Sequence, residues 1–167
     1  MASPIILTLQ LDQESQDRLQ AERERWFVPR LDKVPAHLTL FHKLPGEEER
    51  AVVEAVAEVC AGRPPFPVTV EGLRPLGRGV AYRLASRELE TVRAELARRF
   101  KPWLTGQDRE GFRAHVTVQN KVAPAEAKAL LAELQAGFTP FEARAEGLQL
   151  WHYRRGPWSP AGAVAFG

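Results

Sequence analysis

The chain has four histidines, and two stand in the same frame: "AHLTL" at positions 36–40 and "AHVTV" at positions 114–118. Each motif sets a histidine two residues before a threonine, with apolar residues between and after. Imidazole titrates near neutral pH, so two such rings at one site can take a proton and give one. A threonine hydroxyl beside each ring can donate a hydrogen bond to an oxygen that gathers negative charge. The pattern is open to two readings. Strand-building residues recur by accident, or two strands present matched His/Thr pairs to a common site.

The second reading asks for strands that aim these side chains together. Residues i and i+2 share a face of a strand. On the first strand Leu38 and Leu40 point one way, and His37, Thr39, Phe41 and Lys43 the other. On the second, Ala114, Val116 and Val118 oppose Arg113, His115, Thr117, Gln119 and Lys121. The apolar faces suit helix packing. The polar faces line one cleft if the halves of the chain face each other about a pseudo-two-fold. By the same alternation His42 falls on the helix side, and His152 belongs to neither motif; both are read as structural.

The surrounding elements recur in the same order. Strand patterns at 5–11, 37–44 and 66–71 alternate with helical patterns at 12–27 and from 47 to near Gly62. Strands at 80–85, 112–122 and 141–153 alternate with helices at 86–101 and from Pro124, which stands at the position a helix start favours. "PFPVTVEGL" at 65–73 aligns without gaps to "PFEARAEGL" at 140–148, and the two histidine motifs lie 78 positions apart. This predicts an α+β fold: a β-α-β-α-β unit written twice, repeats at about 5–74 and 79–153, in one domain over 1–167. Two mainly antiparallel sheets are expected around a central cleft, with helices outside. Gly77 and Gly79 mark the crossing between halves, and the loops 28–36 and 105–111 precede the motif strands.

Composition narrows the classes of function. Among 167 residues, 44% are hydrophobic and 26% charged, with a net charge of +2. That suits a folded core and a phosphate-bearing ligand, and gives no DNA-coating surface. The single cysteine, Cys60, excludes an intrachain disulfide and sits on an apolar helix face, where it reads as packing. No apolar run is long enough for a membrane span, the opening residues read as a strand with no signal-peptide pattern, and a cytoplasmic monomer is the default expectation.

"AHLTLFHKLPG" and "FRAHVTVQNKV" resemble the signature of the two-histidine (2H) phosphoesterases, which carry His-x-Thr/Ser-x twice, separated by about half the chain. That group includes bacterial RNA ligase/cyclic phosphodiesterase proteins and plant cyclic-nucleotide phosphodiesterases. The resemblance spans nearly the whole chain. The opening strand "PIILTLQL" departs from it, lacking the aromatic residues of the best-known RNA-ligase branch. It implies His37 and His115 as the catalytic pair and Thr39 and Thr117 as phosphate-holding residues. It implies no metal and no cofactor, and hydrolysis of a 2′,3′-cyclic phosphate on an RNA end or a nucleotide. The resemblance also implies His115 as the base and His37 as the acid, with reverse 2′-5′ ligation as a companion activity.

Around the motifs, Lys43, Arg113, Lys121 and Arg83 are candidates to hold flanking phosphates. Phe41 and Tyr82 are candidates to stack a base, and "WHYRRGPW" at 151–158 could border an RNA-binding rim. Two other classes compete: an RNA- or nucleotide-binding module without turnover, and a histidine-based metal site. The latter is poorly supplied, since no acidic residue accompanies either motif.

Overall fold

The computed structural model describes residues 2–167. Its first ten elements follow the duplicated order. β1 (Ile5–Leu11), α1 (Gln13–Trp26), β2 (Leu38–Leu44), α2 (Glu49–Cys60) and β3 (Phe66–Pro75) form one run. β4 (Val80–Ala85), α3 (Arg87–Phe100), β5 (His115–Gln119), α4 (Pro124–Gly137) and β6 (Phe141–His152) form the second. A final strand, β7 (Ser159–Ala165), adds a hairpin to β6 that the second run alone possesses.

Local chemistry explains where the helices start. The Asp12 carboxylate accepts from the Ser15 N–H at 3.1 Å, and the Ser86 hydroxyl accepts from the Leu89 N–H at 3.1 Å. Pro124 opens α4, where a missing N–H leaves nothing unsatisfied. The predicted face of α3 is buried: Leu89, Val92, Leu96 and Phe100 all join the core. Cys60 is buried too, and its surroundings push the thiol up to about 11, which leaves it an inert packing group.

Every strand pairing is antiparallel, in the order β2-β1-β6-β3-β4-β5, with β7 on β6. Two sheets were expected, and the pairing instead runs through one continuous sheet. The reason is the length of β3 and β6, at 10 and 12 residues. Their first halves pair with each other, Phe66 opposite Ala145 and Val70 opposite Phe141. Their second halves then part: β3 runs along β4, and β6 runs along β1. The third strand of each repeat therefore completes the half begun by the other repeat. Gly79, where the second run begins, has no room for a side chain, since a Cβ would sit 2.0 Å from the Gln119 carbonyl oxygen.

Two buried arginines tie the repeats together behind the motif strands. Arg23 of α1 donates to the carbonyl of Thr117 at 2.9 Å, while Arg93 of α3 donates to the carbonyl of Leu40 at 2.9 Å. A helix from each half thus grips the motif strand of the other. A buried guanidinium needs such partners, because an unpaired one carries a large desolvation penalty. Arg23 also holds Asp32 at 2.9 Å, and Arg93 lies 4.0 Å over the Phe41 ring. Among the described residues no helix is long and apolar enough to cross a membrane.

Candidate active site

His37 ends the loop before β2, and His115 opens β5. Both rings are fixed by the same local device. The Nδ1–H of His37 donates to the Pro35 carbonyl at 2.8 Å, and that of His115 to the Arg113 carbonyl at 2.7 Å. A carbonyl only accepts, so each Nδ1 carries the proton and each Nε2 is left to accept or, once protonated, to donate. The Arg74 guanidinium also comes within 3.3 Å of the His115 Nδ1. Two donors cannot share a proton, so the carbonyl is the partner and Arg74 is a neighbouring positive charge.

Burial chiefly shifts both rings toward their neutral forms. His37 is pushed down to about 4 by desolvation, against its Pro35 hydrogen bond and helped by the charges of Arg23, His42 and His115. His115 is lowered by desolvation, against its Arg113 hydrogen bond and helped by Arg74 and His42. His37 and His115 thus lie within electrostatic reach of each other, and His42 lies within reach of both. The ring of His37 packs on Trp158, centroid to centroid 4.6 Å, at the turn into β7.

A cleft of about 330 Å³ is lined by Thr39, His42, Arg74, Arg93, Arg113 and His115, among others. His37 lines a different groove, about 150 Å³, beside Gln149, Trp151 and Trp158, so the two motif histidines border separate depressions. Thr39 pairs with Thr8 across the β1–β2 ladder, and Thr117 pairs with Ala81 across β4–β5. The Thr8 hydroxyl accepts from the Trp151 Nε1–H at 2.9 Å, so it is already engaged.

Several expected contacts change. Leu7 pairs with Phe41 but Thr8 with Thr39, so Leu40 is an extra residue in β2. This bulge reverses the alternation. Phe41 turns into the core, 0% exposed and edge-on to Phe100 at 5.2 Å, and cannot stack a substrate base. His42 turns outward into the cleft, contrary to its expected place among the helices. Tyr82 is buried as well, its ring 5.9 Å from Phe138 on the side covered by α1 and α4, and desolvation pushes its hydroxyl up to about 12. It is core and carries no base.

The cations divide. Arg113 lines the cleft. Arg83 pairs with His115 across the ladder, but its guanidinium holds the Glu71 carboxylate at 2.8 Å. Lys43 is exposed and borders a separate groove of about 850 Å³ with Trp103, Tyr153, Arg154 and Arg155, which gives the 151–158 segment a basic, aromatic border. Lys121 lies past the end of β5 in a left-handed turn, φ 61°. His152 joins Glu49 at 2.5 Å and ties β6 to the start of α2.

The sequence reading missed Arg74 and the buried Asp108, whose carboxylate accepts from the N–H groups of His42 and Lys43, took His42 as structural, and placed Trp158 only within the rim segment 151–158. Arg74 was detectable: it stands 75 positions before Gln149, and the two pair with the equivalent residues Ala81 and Thr8.

Residues 11–157 match the 2′-5′ RNA ligase superfamily. No curated protein matches the chain. Among solved structures, TT0787 of Thermus thermophilus superimposes with a TM-score of 0.70 at 17% identity, over 98% of this chain and 97% of that one. Escherichia coli LigT complexed with 3′-AMP gives 0.67 at 18% identity over 99% of each chain, and a structure described as a phosphoesterase gives 0.68 at 17% over 99% of each. At such identities the likeness is one of fold.

Proposed function

Because the chain belongs to the 2′-5′ RNA ligase superfamily, we propose that it is a two-histidine phosphoesterase that opens 2′,3′-cyclic phosphates of RNA ends or nucleotides without a metal. The observation that carries this reading is the matched pose of the two rings: each spends Nδ1–H on a carbonyl two residues back and keeps Nε2 free. A binding module has no need of two titratable groups in one tautomer. Family-type phosphoester chemistry is also in keeping with structural neighbours described as LigT complexed with 3′-AMP, with NADP+ and with ATP.

In the proposed reaction the phosphate diester sits between the rings. One Nε2 takes a proton from water as its oxygen bonds to phosphorus, and the other donates a proton to the ribose oxygen as the ring P–O bond breaks. Thr39 and Thr117 donate to the non-bridging oxygens, and Arg74 and Arg113 offset their charge. The family resemblance makes His115 the base. The surroundings favour the opposite assignment: burial drives His37 down to about 4, so it is the ring that rests unprotonated with Nε2 open to a proton. We therefore assign His37 as base and His115 as acid for ring opening. If a 5′-hydroxyl replaces water and the P–O3′ bond breaks, the same pair forms a 2′-5′ linkage.

The test mixes the protein with 2′,3′-cyclic nucleotides and excess chelator, resolving 2′- from 3′-phosphate products. Turnover should persist, and His37→Ala and His115→Ala should each lose about 10²–10⁴ in rate. Tight nucleotide binding with no turnover in the wild type would establish the binding-module alternative instead.

A further inference from the structure

The bulge at Leu40 delivers a third histidine to the site, and the fold invests in orienting it. The Asp108 carboxylate is 2% exposed and stands on the short 3₁₀ turn Gly106–Arg109. It accepts from the backbone N–H of His42 at 2.9 Å, from that of Lys43 at 2.9 Å, and from the His42 Nδ1–H at 3.1 Å. Burial opposes the ionised carboxyl, but these hydrogen bonds outweigh it and hold the group below its ordinary range. The Nη2 of Arg93 fixes the same turn by donating to the Asp108 carbonyl at 3.0 Å.

This arrangement does not serve packing, because the His42 side chain remains 46% exposed. With Nδ1–H given to Asp108, Nε2 is the polar atom left for the cleft, which His42 lines together with Thr39, Arg74, Arg113 and His115. The arrangement is also one-sided. The residue 78 positions on, at the matching place in the second motif, is Asn120. A pseudo-two-fold pair suits the reacting phosphorus, which is approached from both flanks. A third imidazole on one flank suits a part of the ligand that lacks that symmetry.

We infer that His42, oriented by Asp108, forms a second phosphate-binding subsite, so that the preferred ligand is a nucleotide or RNA end bearing another phosphate beside the reacting one. The inference rests on the proposed phosphoesterase reading for the position of the first phosphate. The Nε2 of His42 shares a hydrogen bond with an oxygen of the second phosphate, and Arg113, which lines the same cleft, adds charge. Such charge-assisted bonds are the strong class of hydrogen bond.

The experiment titrates the metal-free full chain with a nucleoside 3′,5′-bisphosphate and with the matching 3′-monophosphate, for wild type and His42→Ala. Wild type should bind the bisphosphate about tenfold tighter, and His42→Ala should reduce that ratio to about twofold or less. A thermal melt checks that the exposed substitution leaves the fold intact. Equal binding of both ligands by wild type, or an unchanged ratio in the variant, overturns the subsite. Opening of an unphosphorylated 2′,3′-cyclic nucleotide by wild type is measured alongside. Selectivity without turnover removes the catalytic reading and leaves the subsite standing, whereas turnover without selectivity removes the subsite alone.

Discussion

The backbone around His37 and the backbone around His115 set their rings by one device, yet the two neighbourhoods have diverged. On the first side the ring leans on Trp158, carried by a C-terminal hairpin with no counterpart in the first repeat, and Arg23 repels its protonated form. On the second side the ring borders an open cleft beside Arg74. The shared element is the tautomer, which lets either ring work at Nε2. What differs is the ease of protonation. A duplicated strand supplies two equivalent groups, and the unduplicated contacts give them unequal surroundings, the inequality on which the proposed division of labour rests.

The comparison can be broken most severely at the histidines themselves. If the two rings act as one unit, the double variant His37→Ala/His115→Ala should fall no more than about tenfold below the worse single variant, because groups that act together are strongly non-additive. Fully multiplicative losses in single-turnover assays would mean independent roles. Next in size come the hydroxyls. Thr39→Ala and Thr117→Ala should each lower kcat by about 10² with little change in KM, as removal of a donor to a charged oxygen does. A loss confined to KM would make them ground-state binders.

The cross-repeat arginines test whether the two sides depend on each other for position. Arg93→Met leaves the carbonyls of Leu40 and Asp108 without their donor. It should destabilise the fold by about 2–3 kcal/mol, measured by denaturant unfolding. The smallest effects sharpen the electrostatic contrast. The profile of kcat/KM against pH should be a bell, rising through about pH 4 as His37 loses its proton and falling below pH 6.5 as His115 loses its own. Trp158→Ala exposes His37 and raises its pKa, moving the acidic limb to higher pH. Arg74→Gln removes a charge that disfavours protonated His115, moving the alkaline limb to higher pH. Were the two substitutions to move the opposite limbs, His37 and His115 would exchange roles.

Much of this was legible in the residues. The repeat of Pro, Phe, Glu, Gly and Leu between 65–73 and 140–148 identified corresponding strands, and Asp12, Ser86 and Pro124 marked helix starts by known capping chemistry. A repeat states which segments correspond, however, and not which edge each will pair along, so the exchange of β3 and β6 between halves was hidden. The bulge at Leu40 was hidden as well, because an extra residue in a strand of Leu, Phe and His leaves no compositional mark. That one residue misassigned both Phe41 and His42. Asp108 looked like loop polarity in "TGQDREG", and only the fold brings it beneath a histidine 66 positions earlier.

The claim at the centre is spatial: the imidazoles of residues 37 and 115 meet on a single phosphate. Imidazole NMR of the metal-free protein, titrated with a 3′-nucleotide, reads this without relying on turnover. Both rings should respond along one binding curve with 1:1 stoichiometry, and both pKa values should rise as the anion enters. A response from one ring alone, or two curves with different affinities, would contradict the account.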